Sequence, residues 1–461
     1  MKNKAFDLVS ITLFFVFSAF FLVAGLLGFG AGNLRETRSA APEPVLPDGS
    51  LNMRYTAELD DYFSDNFAFR GELINAYSGF ITNTLNVSPV ADVILGRDGW
   101  LFYADTLDDY LGYDPMTERE VCAAARSLYL MCEYAEKNGA AFLFVAAPNK
   151  NTLYPEQMPF AKAGSQASLD LLLPALAGQA VGFIDLRAFL VSDAPLYYKN
   201  DSHWNLLGAA MAADAVNGAL GVSSDFAKNM RQITVSENGD LFEMLYPVSE
   251  TCEPDYEYAP GFSYGYSPAF RSPEDISIET ARENVPGSLL MFRDSFGNAL
   301  HTFMAESFGR ALFSRSNSYR LDFIARTGAS AVVVELVERN LAYLNRYAPV
   351  FPSPERSLSG VTTIPGRLEL TVSAERSGDM PGYIKLSGGV STDGELPADS
   401  PIYLLSGGAA YEATPAGEFP GAFPFTAYLP EDAVSGEIRA VMVTGATALI
   451  SESVELSSVL K

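Results

Sequence analysis

Two histidines stand in 461 residues, His203 and His301, so any reaction that needs an imidazole base has two places to occur. His203 lies in Tyr198-Lys199-Asn200-Asp201-Ser202-His203-Trp204, just ahead of a helical stretch that opens near Asn205. An Asp two residues before a His, on a loop entering a helix, can turn back to accept the imidazole Nδ1–H, which leaves Nε2 free to act as a base. The same residues also suit a plainer task, since Asp and Ser are common helix caps and His203 would then only pack locally. A nucleophilic Ser belongs at a strand-to-helix turn, where its hydroxyl stands above the sheet and backbone N–H groups can hold an oxyanion. Ser295 has that setting: it follows Ser288–Phe292 through Arg293-Asp294 and precedes Phe296-Gly297-Asn298. A capped turn is the alternative there, and spacing alone does not join Ser295 to His203. His301, six residues beyond Ser295 on a predicted helix, points away from it and has no acid placed to orient it, so a satisfied or exposed helical histidine is expected.

Those residues need elements to position them. Apolar runs of strand length, Ala141–Pro148, Gly182–Arg187, Ser288–Phe292 and Ala331–Leu336, alternate with amphipathic stretches at Thr117–Lys137, Leu206–Leu220 and Asn298–Phe308. That alternation predicts an α/β fold, a parallel sheet with helices on both faces, whose chemistry lies at the carboxyl ends of the strands. Asn149 and Lys150 follow the first strand at that edge. The Asn149 amide is a candidate donor to an oxyanion, and Lys150 is a candidate for an acidic partner or substrate, or a solvated turn residue. Glu338 and Arg339 follow the last strand and are expected to form an internal ion pair that fixes a loop. Gly96-Arg97-Asp98-Gly99 reads as a hairpin turn before an aromatic strand. Trp204 is a candidate sugar platform, or a ring that packs His203 in place.

The chain ends differ from this middle. An apolar run of about 24 residues, Leu8 to Ala31, follows Lys2 and Lys4, long enough to cross a bilayer once with the body exported. Residues 1–32 are expected to be a transmembrane anchor and 33–54, with Pro42, Pro44 and Pro47, a tether. Residues 55–353 form the expected catalytic domain. After about Pro354 short strand-like runs separated by Gly, Pro and Asp predict a small β-sandwich-like domain over 354–461. A net charge of −25 with pI near 4.4 argues against nucleic acid, whose binding needs Lys and Arg to release counterions. Cys122, Cys132 and Cys252 make neither a disulfide framework nor a zinc set, so no metal and no cofactor is expected.

Six segments in order extend the reading: Phe63–Arg70, Gly96–Tyr103, Ala147–Glu156, Asp201–Trp204, Arg293–Phe296 and Val334–Arg339. Together they resemble the SGNH-hydrolase-like family of the alginate O-acetyltransferases AlgX and AlgJ and the related DHHW proteins. The resemblance implies an SGNH-hydrolase-like catalytic domain with Ser295 as nucleophile, His203 as base and Asp201 as its orienter. It further implies a polysaccharide acceptor and a multi-spanning membrane acyltransferase as acetyl donor, with the body held outside the cell membrane by a single span. Many relatives have Gly where this chain has Arg293, so Arg293 either brings positive charge to the tetrahedral intermediate or makes a surface ion pair. Three functions stand open: O-acetyl transfer to an exported or surface polysaccharide, O-acetylester hydrolysis, and glycan binding without catalysis.

Overall fold

The computed structural model describes residues 4–27, 39–66, 68–162, 166–236, 238–392, 397–417, 423–434, 436–445 and 447–456. Phe67, residues 28–38 of the expected anchor and tether, and residues 457–461 lie outside these.

The centre is a seven-stranded sheet. Five strands run parallel in the order Phe183–Asp185, Ala141–Ala147, Ala331–Val337, Ser288–Phe292, Arg310–Ser314, and the antiparallel Ser277–Ala281 and Gly265–Tyr266 close one side. Ala331–Val337 is buried at every residue, as a strand covered on both faces must be. Alternation divides the side chains between two cores. Leu143, Val145, Met291 and Val333 pack under the helices Leu206–Ala219 and Gly297–Ser307. Phe144, Leu290, Phe292 and Val334 pack under Glu118–Lys137 and Ser168–Gly178. The helix Glu118–Lys137 starts at a capping box, Thr117 and Glu120 satisfying each other's backbone N–H. Gly208 lets the Leu206 helix approach the chain before it, because a Cβ there would stand 2.5 Å from the Leu196 carbonyl oxygen.

Beyond Ser353 the C-terminal strands make the expected β-rich domain, as one curled sheet. Its order runs Glu355–Arg356, Ala409–Glu412, Ile402–Ser406, Glu437–Thr444, Thr447–Ser451, Thr362–Arg376, Tyr383–Thr392, Phe423–Pro430, and an antiparallel bridge Thr414–Thr426 draws the two ends together. Long strands twist, and a twisted sheet that curls can bury one face upon itself, here around Leu386, Leu404, Ala427 and Met442. The sheet is fastened to the α/β body by Glu412, which accepts from Arg126 Nε and Arg356 Nε at 2.7 Å each, while Arg356 Nη1 also reaches Glu133 at 2.7 Å.

At the other end, Lys4–Leu26 is one helix whose segment Leu8–Gly25 is long and apolar enough to cross a membrane. In the described part of the expected tether, Val45 bridges to Leu51, and Ser39 Oγ donates to Asp65 at 2.5 Å. All three cysteines are free thiols.

Candidate active site

Ser295 sits three residues past the end of Ser288–Phe292, at the carboxyl edge of the parallel strands, with Gly297–Ser307 opening after one intervening residue. Its turn is pinned from below. The Asp294 carboxylate accepts from the Phe296 N–H at 2.9 Å, from the Val337 N–H at 2.9 Å and from Asn340 Nδ2 at 2.7 Å, which ties the turn to the end of the neighbouring strand. Across from it, His203 Nε2 lies 2.9 Å from Ser295 Oγ, and His203 Nδ1 lies 2.7 Å from Asp201 Oδ1. An ionised carboxylate only accepts, so Nδ1 carries the proton and Nε2 is left to accept from the serine hydroxyl. Burial raises the Asp201 pKa, but the hydrogen bond and charge of His203 outweigh it and hold the carboxyl at about 2. The Phe296 ring packs on both His203 and Trp204, centroids 5.1 and 5.0 Å away.

A second carboxylate supports the loop. Asp240, at the start of the short helix Asp240–Leu245, accepts from the Ser202 N–H at 2.7 Å and from Ser202 Oγ at 2.5 Å, and its own N–H donates to Asp201 Oδ2 at 3.0 Å. Its Oδ2 is 3.6 Å from His203 Nδ1. Burial, and then repulsion from Asp201, push the Asp240 pKa up. No sequence spacing announces this residue; the nearest signal is Gly239, where a Cβ would stand 2.3 Å from the Asn200 carbonyl oxygen. Asp201, His203 and Asp240 also offer three ligand atoms within 4.8 Å of one another, the donor set a metal ion would use. Those atoms are already engaged with each other, with Ser202 and with Ser295.

Four residues expected at substrate are interior instead. Lys150, 4% exposed, donates its ammonium protons to the carbonyl oxygens of Leu101, Lys199 and Asp201 at 2.6, 2.8 and 2.9 Å, and burial draws its pKa down to about 7. It holds the Asp201 loop from beneath, and the nearby charges of Asp201, Glu253 and Asp240 offset part of the cost of its burial. Asn149 is 1% exposed, with its backbone N–H donated to Glu338 at 2.7 Å. Trp204, also 1% exposed, donates its indole N–H to the Phe296 carbonyl, so its ring braces the site and offers no sugar platform. Arg293 makes no surface ion pair: buried, it bonds to Asn298 Oδ1 and to the carbonyl oxygens of Asp294, Pro273 and Asp275. It braces the start of the helix that follows Ser295. The expected Glu338–Arg339 pair is absent as well. Glu338 is buried, accepts from Thr152 Oγ1 at 2.5 Å and lies 3.9 Å from Arg187, while Arg339 stacks over Phe296 and Tyr103. His301 is satisfied, Nδ1 to the Asn298 carbonyl at 2.7 Å and Nε2 to the Tyr266 hydroxyl at 2.9 Å, and burial lowers its pKa to about 4.

Ser295, His203 and Asp201 thus meet at the carboxyl edge of the parallel strands of an α/β fold. Parts of the chain are similar to the AlgX and AlgJ acetyltransferases and to a DHHW family protein. Residues 93–269 match the family described as SGNH hydrolase-like domain, acetyltransferase AlgX. The probable alginate O-acetylase AlgJ of Pseudomonas syringae pv. tomato is 26% identical over 246 residues, 48% of this chain and 57% of AlgJ, so the chain spans little more than half the length of that relative. Among solved structures, a DHHW family protein from Eubacterium siraeum is similar at 20% identity and a TM-score of 0.39, over 48% of this chain and 85% of that one. The O-acetyltransferase domain of Pseudomonas putida AlgJ is similar at 19% identity and a TM-score of 0.37, over 54% of this chain and 92% of that one.

Proposed function

We propose that this protein is an O-acetyltransferase that moves an acetyl group to a hydroxyl of a polysaccharide through an acetyl-enzyme on Ser295. The observation that carries it is the continuous line of hydrogen bonds from Asp201 Oδ1 through His203 to Ser295 Oγ, at 2.7 and 2.9 Å. Ser295 Oγ attacks the donor's acetyl carbonyl while His203 Nε2 takes its proton, and the tetrahedral intermediate collapses as the leaving group takes that proton back. A sugar hydroxyl then attacks the acetyl-enzyme, its proton passing to His203 and on to Ser295 Oγ as the ester leaves. Asp201 stays ionised throughout and stabilises the imidazolium, with Asp240 holding the Asp201-Ser202-His203 loop to that geometry. AlgJ is named for acetylation of alginate; O-acetylation of a polysaccharide is the part proposed here. The donor is a membrane acyltransferase that passes acetyl groups across the bilayer, and the Leu8–Gly25 span keeps the site beside it, outside the membrane.

The test is mass spectrometry of the full chain in detergent after exposure to an activated acetyl ester. The expected result is one acetyl group on Ser295, absent from Ser295→Ala, and acetylated sugar when an oligosaccharide is added. Free acetate with every acceptor would identify an esterase, and no adduct on folded protein would leave a glycan-binding scaffold.

A further inference from the structure

Two clefts meet at Ser295 and His203, and both are lined with negative charge. The narrower holds five carboxylates, Asp201, Asp240, Glu243, Glu253 and Glu274, and no Lys or Arg among its described lining residues. Asp201, Asp240, Glu253 and Glu274 are held by hydrogen bonds. Glu253 accepts from the backbone N–H groups of Lys199 and Asn200 at 2.6 and 2.9 Å, and Glu274 is held by Arg315 and by the Asn298 amide. The wider cleft, about 800 Å³, adds Asp105 and Asp294 with two cations, Arg315 and Arg339. That volume is in the range that seats a ligand of a few sugar rings. Arg315 is already paired with Glu274, and the Arg339 guanidinium lies over the Tyr103 and Phe296 rings at 5.6 and 5.2 Å. Neither cleft therefore offers the forked, uncommitted guanidinium pairs with which proteins receive carboxylates.

We propose that the acceptor in these clefts is a glycan without carboxylate or phosphate groups, a neutral or amine-bearing polysaccharide, and that their acidic lining enforces the choice by repelling anionic chains. The proposal rests on Ser295 being the nucleophile. Sugar hydroxyls donate to carboxylates in charge-assisted bonds, and an ammonium group on an amino sugar gains more, whereas each uronate unit would be brought against fixed like charge in a half-enclosed site. The Asp240 carboxyl shows the local limit. Burial and its neighbour Asp201 already push its pKa up, and a substrate carboxylate would add to the same strain.

The experiment offers the full chain in detergent an activated acetyl ester together with neutral, glucosamine-containing and uronic-acid oligosaccharides of equal length, at low and high salt. The neutral and amine-bearing acceptors are expected to be acetylated, and the uronate at least about tenfold more slowly at low salt, with the gap narrowing as salt screens the wall. Glu243→Gln with Glu274→Gln should narrow it further. If the variant does not fold, the salt dependence of the native protein decides. Equal or faster transfer to the uronate, a gap indifferent to salt, or hydrolysis with every acceptor would each overturn the proposal. An absent Ser295 adduct would overturn the nucleophile assignment itself, whereas an adduct that prefers uronate would overturn the acceptor class alone.

Discussion

Lys150 shows how a residue can matter to chemistry it never touches. Its ammonium satisfies three carbonyl oxygens from two separate stretches of chain, one of them Asp201's own. Lys150→Met keeps the stem and leaves those oxygens unpaired, at about 1–3 kcal/mol each for buried groups. A melting temperature lower by several degrees and slower acetylation of Ser295 are expected; an unchanged melting curve would remove the role. Asp240→Asn is predicted to act differently. The amide still offers one oxygen to Ser202, so the fold should hold, but the second negative charge 3.6 Å from His203 Nδ1 is lost. The imidazolium formed during transfer is then less stabilised, and the acetylation rate should fall about tenfold or more with little change in melting temperature. A rate within twofold of the native protein would make Asp240 a loop fastener and nothing else. The Asp201–His203 contact was legible in sequence because two residues of separation make it local. Asp240 was not, since it meets Asp201 across 39 residues through a loop with no periodic signature. The burial of Asn149, Lys150 and Trp204 was hidden for a related reason: position at the edge of a sheet is visible in a strand pattern, but burial is decided by the segments that fold over that edge.

Among elements, the predicted strands and helices that carry Ser295 and His203 were readable because each has one dominant signal. Ala331–Val337 is β-branched and uninterrupted, and Glu118–Lys137 carries its own cap. The C-terminal strands were readable one by one, yet alternation tells which face of a strand is buried and not whether that face meets a second sheet or its own curled continuation. Tight joins between elements were equally hidden. Gly239 packs against the carbonyl of Asn200, and backbone at 2.3 Å from a new Cβ cannot give way as a side chain would. Gly239→Ala should therefore push Asp240 off the Asp201 loop. The expected outcome is a loss of Ser295 acetylation larger than that of Asp240→Asn, with the separation between His203 and Ser295 increased in a structure of the variant. Retention of native activity would mean that the Asp240 helix contributes nothing to the geometry of the base.

At the scale of the whole molecule, the C-terminal sheet is joined to the α/β body through charges partly withdrawn from water. Glu412 is 1% exposed at its side chain and faces two guanidinium groups, Arg126 from the body and Arg356 from the chain entering the sheet. Glu412→Gln removes the carboxylate that both arginines share, and Arg356 keeps only Glu133, so the substitution should loosen the sheet before it unfolds the body. Acid should have a related effect through Glu133. Its hydrogen bond to Arg356 outweighs burial and depresses its carboxyl from 4.5 to about 2. A carboxyl whose folded pKa lies below its unfolded value contributes stability that is complete above about 4.5 and is lost as pH falls toward about 2. Hydrogen exchange on the full chain should thus show the strand Glu355–Arg356 and its partner Ala409–Glu412 losing protection across that window, ahead of Ala331–Val337. Simultaneous loss of protection in both sheets would show a single cooperative unit, and the ion cluster would then be a feature of one core instead of a clasp between two.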